Sequence, residues 1–228
     1  MTKTAIILGA TGATGKELLA LLLKDDRYGT IKLFSRSAVG IQNPKIEEHI
    51  INLFELDKHA VIFTADEVFC CIGTTKAQTP DKQTYFDIEY GIPTTAAKLA
   101  KANGISTFVV ISALGSNANS RIFYVRNKGR MQDTVLKQQI PKTHILQPSL
   151  IVARHRRDSR IAETFFTGFM ALLNPLLFGG MAKYKSIKAA DIAQAMLWLA
   201  NAQYPDVIVT SDKIQQIADE EKRTGGEA

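Results

Sequence analysis

Seven residues near the start, Gly9-Ala10-Thr11-Gly12-Ala13-Thr14-Gly15, constrain the fold more than any other stretch of the chain. An apolar run from Thr4 to Leu8 precedes them, and the leucines between Lys16 and Lys24 recur at helical spacing after them. A strand that passes through a glycine-rich turn into a helix is the opening of a βαβ unit. Its backbone N–H groups converge at the positive end of the helix, where an anion can sit, and glycine removes the Cβ that would block the approach. A plain strand-to-helix turn uses the same residues, so the context has to decide.

The context continues the pattern. Strands are expected at 31–35, 49–54, 66–73, 106–115 and 143–149, and helices at 93–104 and 121–139. Asn103-Gly104 and Pro141 supply the stops. Strands alternating with helices predict an α/β fold, a doubly wound parallel sheet of the Rossmann type. After Leu150 the character changes: a basic loop (153–160), an uncharged stretch (164–182), a helix over 190–202, a strand over 206–210 and a helix over 211–220. The expectation is one domain over 1–228, in which 151–205 forms a small helical, substrate-side lid and 206–221 a last strand and helix.

Composition narrows the partners. The formal charge of +6 is a modest excess, and the Lys and Arg are dispersed with no nucleic-acid motif, so a small anionic ligand accounts for it as well. The two cysteines, Cys70 and Cys71, are adjacent in an apolar run, which reads as reduced, buried thiols and a cytosolic compartment, with no signal peptide ahead of the first strand. The stretch 164–182 approaches a membrane span in length, but Asn174-Pro175 and three glycines point to a pocket-lining or interface helix instead. No membrane partner is expected, and a homo-oligomer stays open. Four scattered histidines give no metal-ligand spacing.

The end of the second strand speaks to the dinucleotide. A carboxylate there would take a ribose 2′-hydroxyl; the chain has Ser35-Arg36-Ser37 instead. A guanidinium clamps a phosphate, so NADP(H) is expected over NAD(H), although a surface arginine in a βα loop is common.

The glycine loop, Ser35-Arg36 and Cys70-Cys71-Ile72-Gly73-Thr74-Thr75 resemble the short-chain dehydrogenase/reductases. The similarity is to their atypical NAD(P)H-binding branch, near the Tat-interacting-protein oxidoreductase, and runs from Thr4 to about Val152. The resemblance implies that Gly9, Thr11, Gly12, Ala13, Thr14 and Gly15 hold a pyrophosphate and that Ser35 and Arg36 take a 2′-phosphate. It puts Leu53 near adenine, and Cys71, Ile72, Gly73 and Thr74 under the ribose and nicotinamide. Pro148 to Leu150 would approach the nicotinamide, although Gln147-Pro148-Ser149 departs from the Arg-Pro-Gly common in the branch. Asp87 stands where relatives often have asparagine.

That family works with a Tyr-x-x-x-Lys pair and a serine. Tyr28/Lys32, Tyr124/Lys128 and Tyr184/Lys188 all match, so placement decides. Tyr124/Lys128 alone falls on an expected helix, where i and i+4 share a face. Ser112, at the end of the preceding strand, supplies the third member, with Ser116 as runner-up. Lys128 is expected to favour the Tyr124 phenolate and to hold the nicotinamide ribose, and Gly129 to let the helix pack closely on the sheet. An apolar helix position explains Tyr124 equally simply. The basic cluster with His155 and the apolar residues Phe165, Phe166, Phe169 and Met170 suit a substrate pocket, or a solvated loop and a core. Three functions follow: an NADPH-dependent oxidoreductase of a small carbonyl or alcohol; a non-catalytic NADPH-binding regulatory or redox-sensing protein; and a nucleotide-sugar epimerase or dehydratase, for which the C-terminal part looks short.

Overall fold

A computed structural model describes residues 1–152 and 183–224. The basic loop and the uncharged stretch, and with them His155 and the aromatic cluster, lie outside the described residues.

The chain runs β1 (Lys3–Leu8), α1 (Ala13–Lys24), β2 (Tyr28–Ser35), β3 (Ile46–Ile50), a 3-10 helix (Leu53–His59), β4 (Glu67–Cys70) and α2 (Lys82–Phe86). A π-helical segment (Asp87–Gly91) joins α2 to α3 (Ile92–Ala102). Then come β5 (Thr107–Ile111), α4 (Phe123–Leu136), β6 (Lys142–Gln147), β7 (Ile151–Val152), β8 (Ile187–Lys188), α5 (Ala189–Asn201), β9 (Ile208–Thr210) and α6 (Ser211–Thr224). The main sheet is parallel throughout, in the order β3-β2-β1-β4-β5-β6-β9.

Such a sheet is buried on both faces, which is why β4 and β5 read as continuous apolar runs rather than alternating ones. Successive side chains still go to opposite sides. Ile7, Leu33, Phe69 and Val109 join the core under α1 and α5, while Ile6, Leu8, Val68 and Val110 join the core under α3 and α4. The doubly wound architecture is as expected from the sequence. Within 151–205, α5 packs its buried face against α1, α6 and the sheet.

Two boundaries differ from expectation for physical reasons. The third strand starts and ends earlier, because Asn52 accepts a hydrogen bond from the Phe54 N–H (3.2 Å) and caps the 3-10 helix at Leu53. The helix expected to begin at Pro93 begins at Lys82, capped by Asp81 on the Thr84 N–H (2.7 Å). Pro93 has no N–H for the Glu89 carbonyl four residues back, and its ring crowds that carbonyl. The helix widens there instead of ending, and Ile92 N–H reaches back five residues to the Asp87 carbonyl.

Candidate functional site

Sheet order reverses between β1 and β4, and α/β folds bind ligands at such a switch point, beyond the carboxyl ends of the strands. The glycine loop lies there. Gly9 has φ +86°, and a Cβ on it would stand 3.0 Å from the carbonyl carbon and oxygen of Cys71. Gly12 is the N-cap of α1 and has no side chain to occupy the helix N–H groups, and the first turn carries no acidic residue. A Cβ on Gly15 would lie 2.1 Å from the Gly9 carbonyl oxygen, so the loop can fold over the helix only with glycine at that position. The result is an open, unopposed helix N-terminus with a bare backbone, which fits a pyrophosphate.

Strand register brings the other expected residues to this edge. Leu8 pairs with Phe34 on one side and with Cys70 on the other, so Ser35-Arg36 and Cys71-Ile72 flank Gly9. Arg36 is exposed, while the Ser35 hydroxyl is buried and donates to the Ser37 carbonyl (2.8 Å). Ser35 therefore pins the turn that presents Arg36. Leu53 is buried in the α3 side of the core, Pro148 is buried at the end of β6, and Leu150 is exposed.

Ser112 follows β5, its N–H bonded to the Leu146 carbonyl at 2.7 Å. Its hydroxyl accepts from Gln132 Nε2 (2.5 Å) and lies 3.3 Å from Ser116 Oγ. Gln147 Nε2 in turn donates to Gln132 Oε1 (3.1 Å). With an amide donor already on its oxygen, and Ser116 giving its own proton to the Ala113 carbonyl (2.7 Å), Ser112 directs its proton toward Ser116 Oγ. Gln147, which marked a departure from the family pattern, thus ends a side-chain relay that orients Ser112, and Gln132 went unnoticed in the sequence.

Tyr124 and Lys128 lie on α4, one turn apart. Tyr124 is 40% exposed, and its ring meets Tyr85 edge-on at 6.5 Å between centroids. Lys128 is buried: its Nζ lies 3.3 Å from the Ile111 carbonyl, beside Ser112, and 2.6 Å from Glu89 Oε2. Burial acts to lower the Lys128 pKa, but Glu89, with smaller help from Tyr124 and Cys70, holds the ammonium above its ordinary value. The expected depression of the Tyr124 phenol is corrected here. Burial pushes its pKa up and Glu89 adds to this, against the opposing pull of Lys128. Gly129 makes its close contact with the backbone of Asn117 and Ala118, in the loop that carries Ser116, rather than with the sheet.

The other two Tyr/Lys pairs are engaged elsewhere. The buried Tyr28 hydroxyl donates to Glu67 Oε2 (2.5 Å), and Lys32 bonds Thr64 Oγ1 (3.0 Å). Tyr184 and Lys188 are exposed. Asp87 accepts from Gln83 Nε2 (2.9 Å) on its own helix. The carboxylate that enters the site is Glu89, two residues on.

A bare glycine cradle at the switch point of a doubly wound parallel sheet defines a dinucleotide-binding protein of the Rossmann type. The chain belongs to the NAD(P)H-binding family, whose model matches residues 9–164, in its atypical short-chain dehydrogenase/reductase-like branch. Protein FMP52-2, mitochondrial, of Scheffersomyces stipitis is 32% identical over 173 residues, 74% of this chain and 75% of its own length. Protein HTATIP2 of Rattus norvegicus is 27% identical over 200 residues, 86% and 80% of the two chains. Among solved structures, the Bordetella bronchiseptica enzyme WbmH in complex with NAD+ matches with a TM-score of 0.69 at 14% identity, covering 99% of this chain and 82% of that one. At that identity the likeness is one of fold.

These relatives correct the cytosolic expectation. Several from fungi are named as mitochondrial proteins and point away from it. Cys70 and Cys71 are free as expected, Cys70 buried and Cys71 only half-buried, but free thiols report a missing disulfide, not an address. Among the described residues no helix is long and apolar enough to cross a membrane.

Proposed function

We propose that this chain is an NADPH-dependent oxidoreductase of a small carbonyl or alcohol substrate. The observation that carries the reading is the meeting at the end of β5: Ser112 oriented by Gln132, and Lys128 Nζ 3.3 Å from the Ile111 carbonyl, under the same sheet edge as the glycine cradle. Gly9, Thr11, Gly12, Ala13, Thr14 and Gly15 hold the pyrophosphate, and Arg36, presented by Ser35, takes the 2′-phosphate. Leu53 borders the adenine side. Cys71, Ile72, Gly73 and Thr74 lie under the ribose, with Lys128 toward its hydroxyls and Pro148 and Leu150 toward the nicotinamide. The bound dinucleotide supplies the hydride. Tyr124 exchanges a proton with the substrate oxygen, and Ser112 hydrogen-bonds that oxygen.

Redox sensing through a thiol finds no support in the cysteines. Burial pushes the Cys70 thiol up to about 11 and Cys71 well above its ordinary value, which leaves little thiolate.

Arg36→Ala tests the cofactor assignment. Hydrogen bonds to a charged group contribute about 1.5–3 kcal/mol, so the NADPH dissociation constant in a calorimetric titration should rise by about 10- to 150-fold. NADH binding should barely change, and equal loss for both would remove the clamp. Ser112→Ala tests the chemistry: turnover should fall by about 10²–10³-fold with NADPH affinity intact. Unchanged turnover would take Ser112 out of the site.

A further inference from the structure

At this site, among the described residues, one buried carboxylate is left over when the cradle, the tyrosine, the lysine and the serine have their roles. Glu89 sits on the π-helical segment with its side chain 1% exposed, facing the equally buried Lys128. Its two oxygens are divided. Oε2 meets Lys128 Nζ at 2.6 Å and has no other partner among the described residues, while Oε1 accepts the Thr74 N–H at 2.5 Å. One side chain thus ties helix α4 to the loop after β4. The widened turn that Pro93 imposes is what carries Glu89 there, and π-turns of this kind are frequent at functional sites.

We propose that Glu89 is a positioning residue: as the counter-ion of Lys128 it keeps the Tyr124 phenol protonated, and so sets the site to give a proton to a substrate oxygen, the direction of carbonyl reduction. The proposal rests on the reading of Tyr124 given above. An ammonium and a carboxylate 2.6 Å apart form a dipole with no net charge. Tyr124 feels the attraction of Lys128 on its own helix and, opposing it, the smaller repulsion of Glu89 from the π segment. Among the described residues the other groups facing the cluster are uncharged at neutral pH: the Tyr85 hydroxyl from α2 and the Cys70 thiol from β4. Asp87, on the same turn, is turned away to Gln83. A lysine without a counter-ion would pull the phenol down and make it a base for alcohol oxidation. Burial holds the phenol above its ordinary value and Glu89 adds to this, so at neutral pH it is an acid. In the reductive step the Tyr124 O–H bond breaks, its proton ends on the substrate oxygen as the hydride reaches the carbon, and water reprotonates the phenolate.

The test is the ionisation of Tyr124, followed by ¹³C NMR of ring-labelled tyrosine in the full chain, with its signal assigned by Tyr124→Phe. Neither substrate nor turnover is required. Glu89→Gln should lower the midpoint by about one pH unit or more, and Lys128→Met should raise it by a similar amount. The double variant Glu89→Gln/Lys128→Met should stay within about half a unit of wild type, because the pair it removes carries no net charge. Glu89→Asp should return the midpoint toward wild type. Reductive turnover in Glu89→Gln should also fall off at lower pH than in wild type.

A wild-type midpoint in folded Glu89→Gln would overturn the proposal, as would a shift of about one unit in the double variant. Losing one member of a buried pair can unfold a protein, whereas replacing both is tolerated. If Glu89→Gln alone does not fold, Lys128→Met and the double variant decide together: the further loss of Glu89 should lower the midpoint by about one unit, and equal midpoints in the two would overturn the proposal. A wild-type midpoint in folded Glu89→Gln refutes the role of Glu89 alone. Normal turnover by Tyr124→Phe refutes the function beneath it.

Discussion

Tyr124→Phe is expected to cut turnover of a carbonyl substrate by about 10²–10⁴-fold while NADPH binds as it does to wild type. The phenol is partly exposed on α4, feels the charge of the buried Lys128 one turn away, and can exchange a proton. Phenylalanine keeps the ring and its edge contact with Tyr85, so packing survives and the loss isolates the proton. In free energy the expected loss is roughly 3–5 kcal/mol of transition-state stabilisation. It should appear in kcat and kcat/KM alike, because the bond it removes forms only as charge develops on oxygen. Wild-type turnover by the variant would show Tyr124 to be an ordinary helix residue.

The second large effect belongs to the cradle. Gly15→Ala places a methyl group 2.1 Å from the Gly9 carbonyl oxygen and 2.8 Å from its carbon, both backbone atoms that no side-chain rotation can move. Relief requires the loop to lift from α1, and the loop is the pyrophosphate site. Overpacking of this kind costs about 1–3 kcal/mol and occasionally more, which for a chain of this size is a fall in Tm of several degrees, roughly 2–4 °C per kcal/mol. NADPH affinity should fall with it, by about 100-fold, or roughly 3 kcal/mol. Gly12→Ala is the control. Its Cβ would stand 3.2 Å from the same oxygen, close enough to need a shift of tenths of an ångström but no refolding of the loop. Thermal unfolding and NADPH titration of both variants should rank Gly15 well above Gly12. Equal effects would mean that the loop is not held in the way described.

The parts of this molecule that were legible in its sequence are those fixed by near neighbours. The glycine loop declares itself because the strand before it and the helix after it lie within a few residues, and the parallel direction of the strands follows from their alternation with helices. Placing Tyr124 and Lys128 together needed only the 3.6-residue period of α4. Glu89 was missed because its partner Lys128 is 39 positions away, and a glutamate in a helical stretch reads as a solvated face. Asp87 drew attention instead, since only the π-turn rotates Glu89 inward. Gln132 and Gln147 were silent for the same reason: a buried amide relay to Ser112 is made by three separate elements. The Tyr124 phenol was read with the wrong sign because Lys128 was counted while burial of the phenol, and after it the counter-ion Glu89, was not. Compartment was the poorest reading of all, for a pair of free thiols carries no address.

The central claim is that this chain uses NADPH for chemistry and does not merely hold it. The most direct measurement is deuterium transfer from NADPH labelled at the nicotinamide C4, followed by mass spectrometry across a panel of small aldehydes and ketones. The account expects deuterium on the carbinol carbon of at least one product with wild-type protein, and none with Tyr124→Phe. Saturable NADPH binding with all of the label left in the dinucleotide, across the whole panel, would contradict it and leave a binding protein in its place.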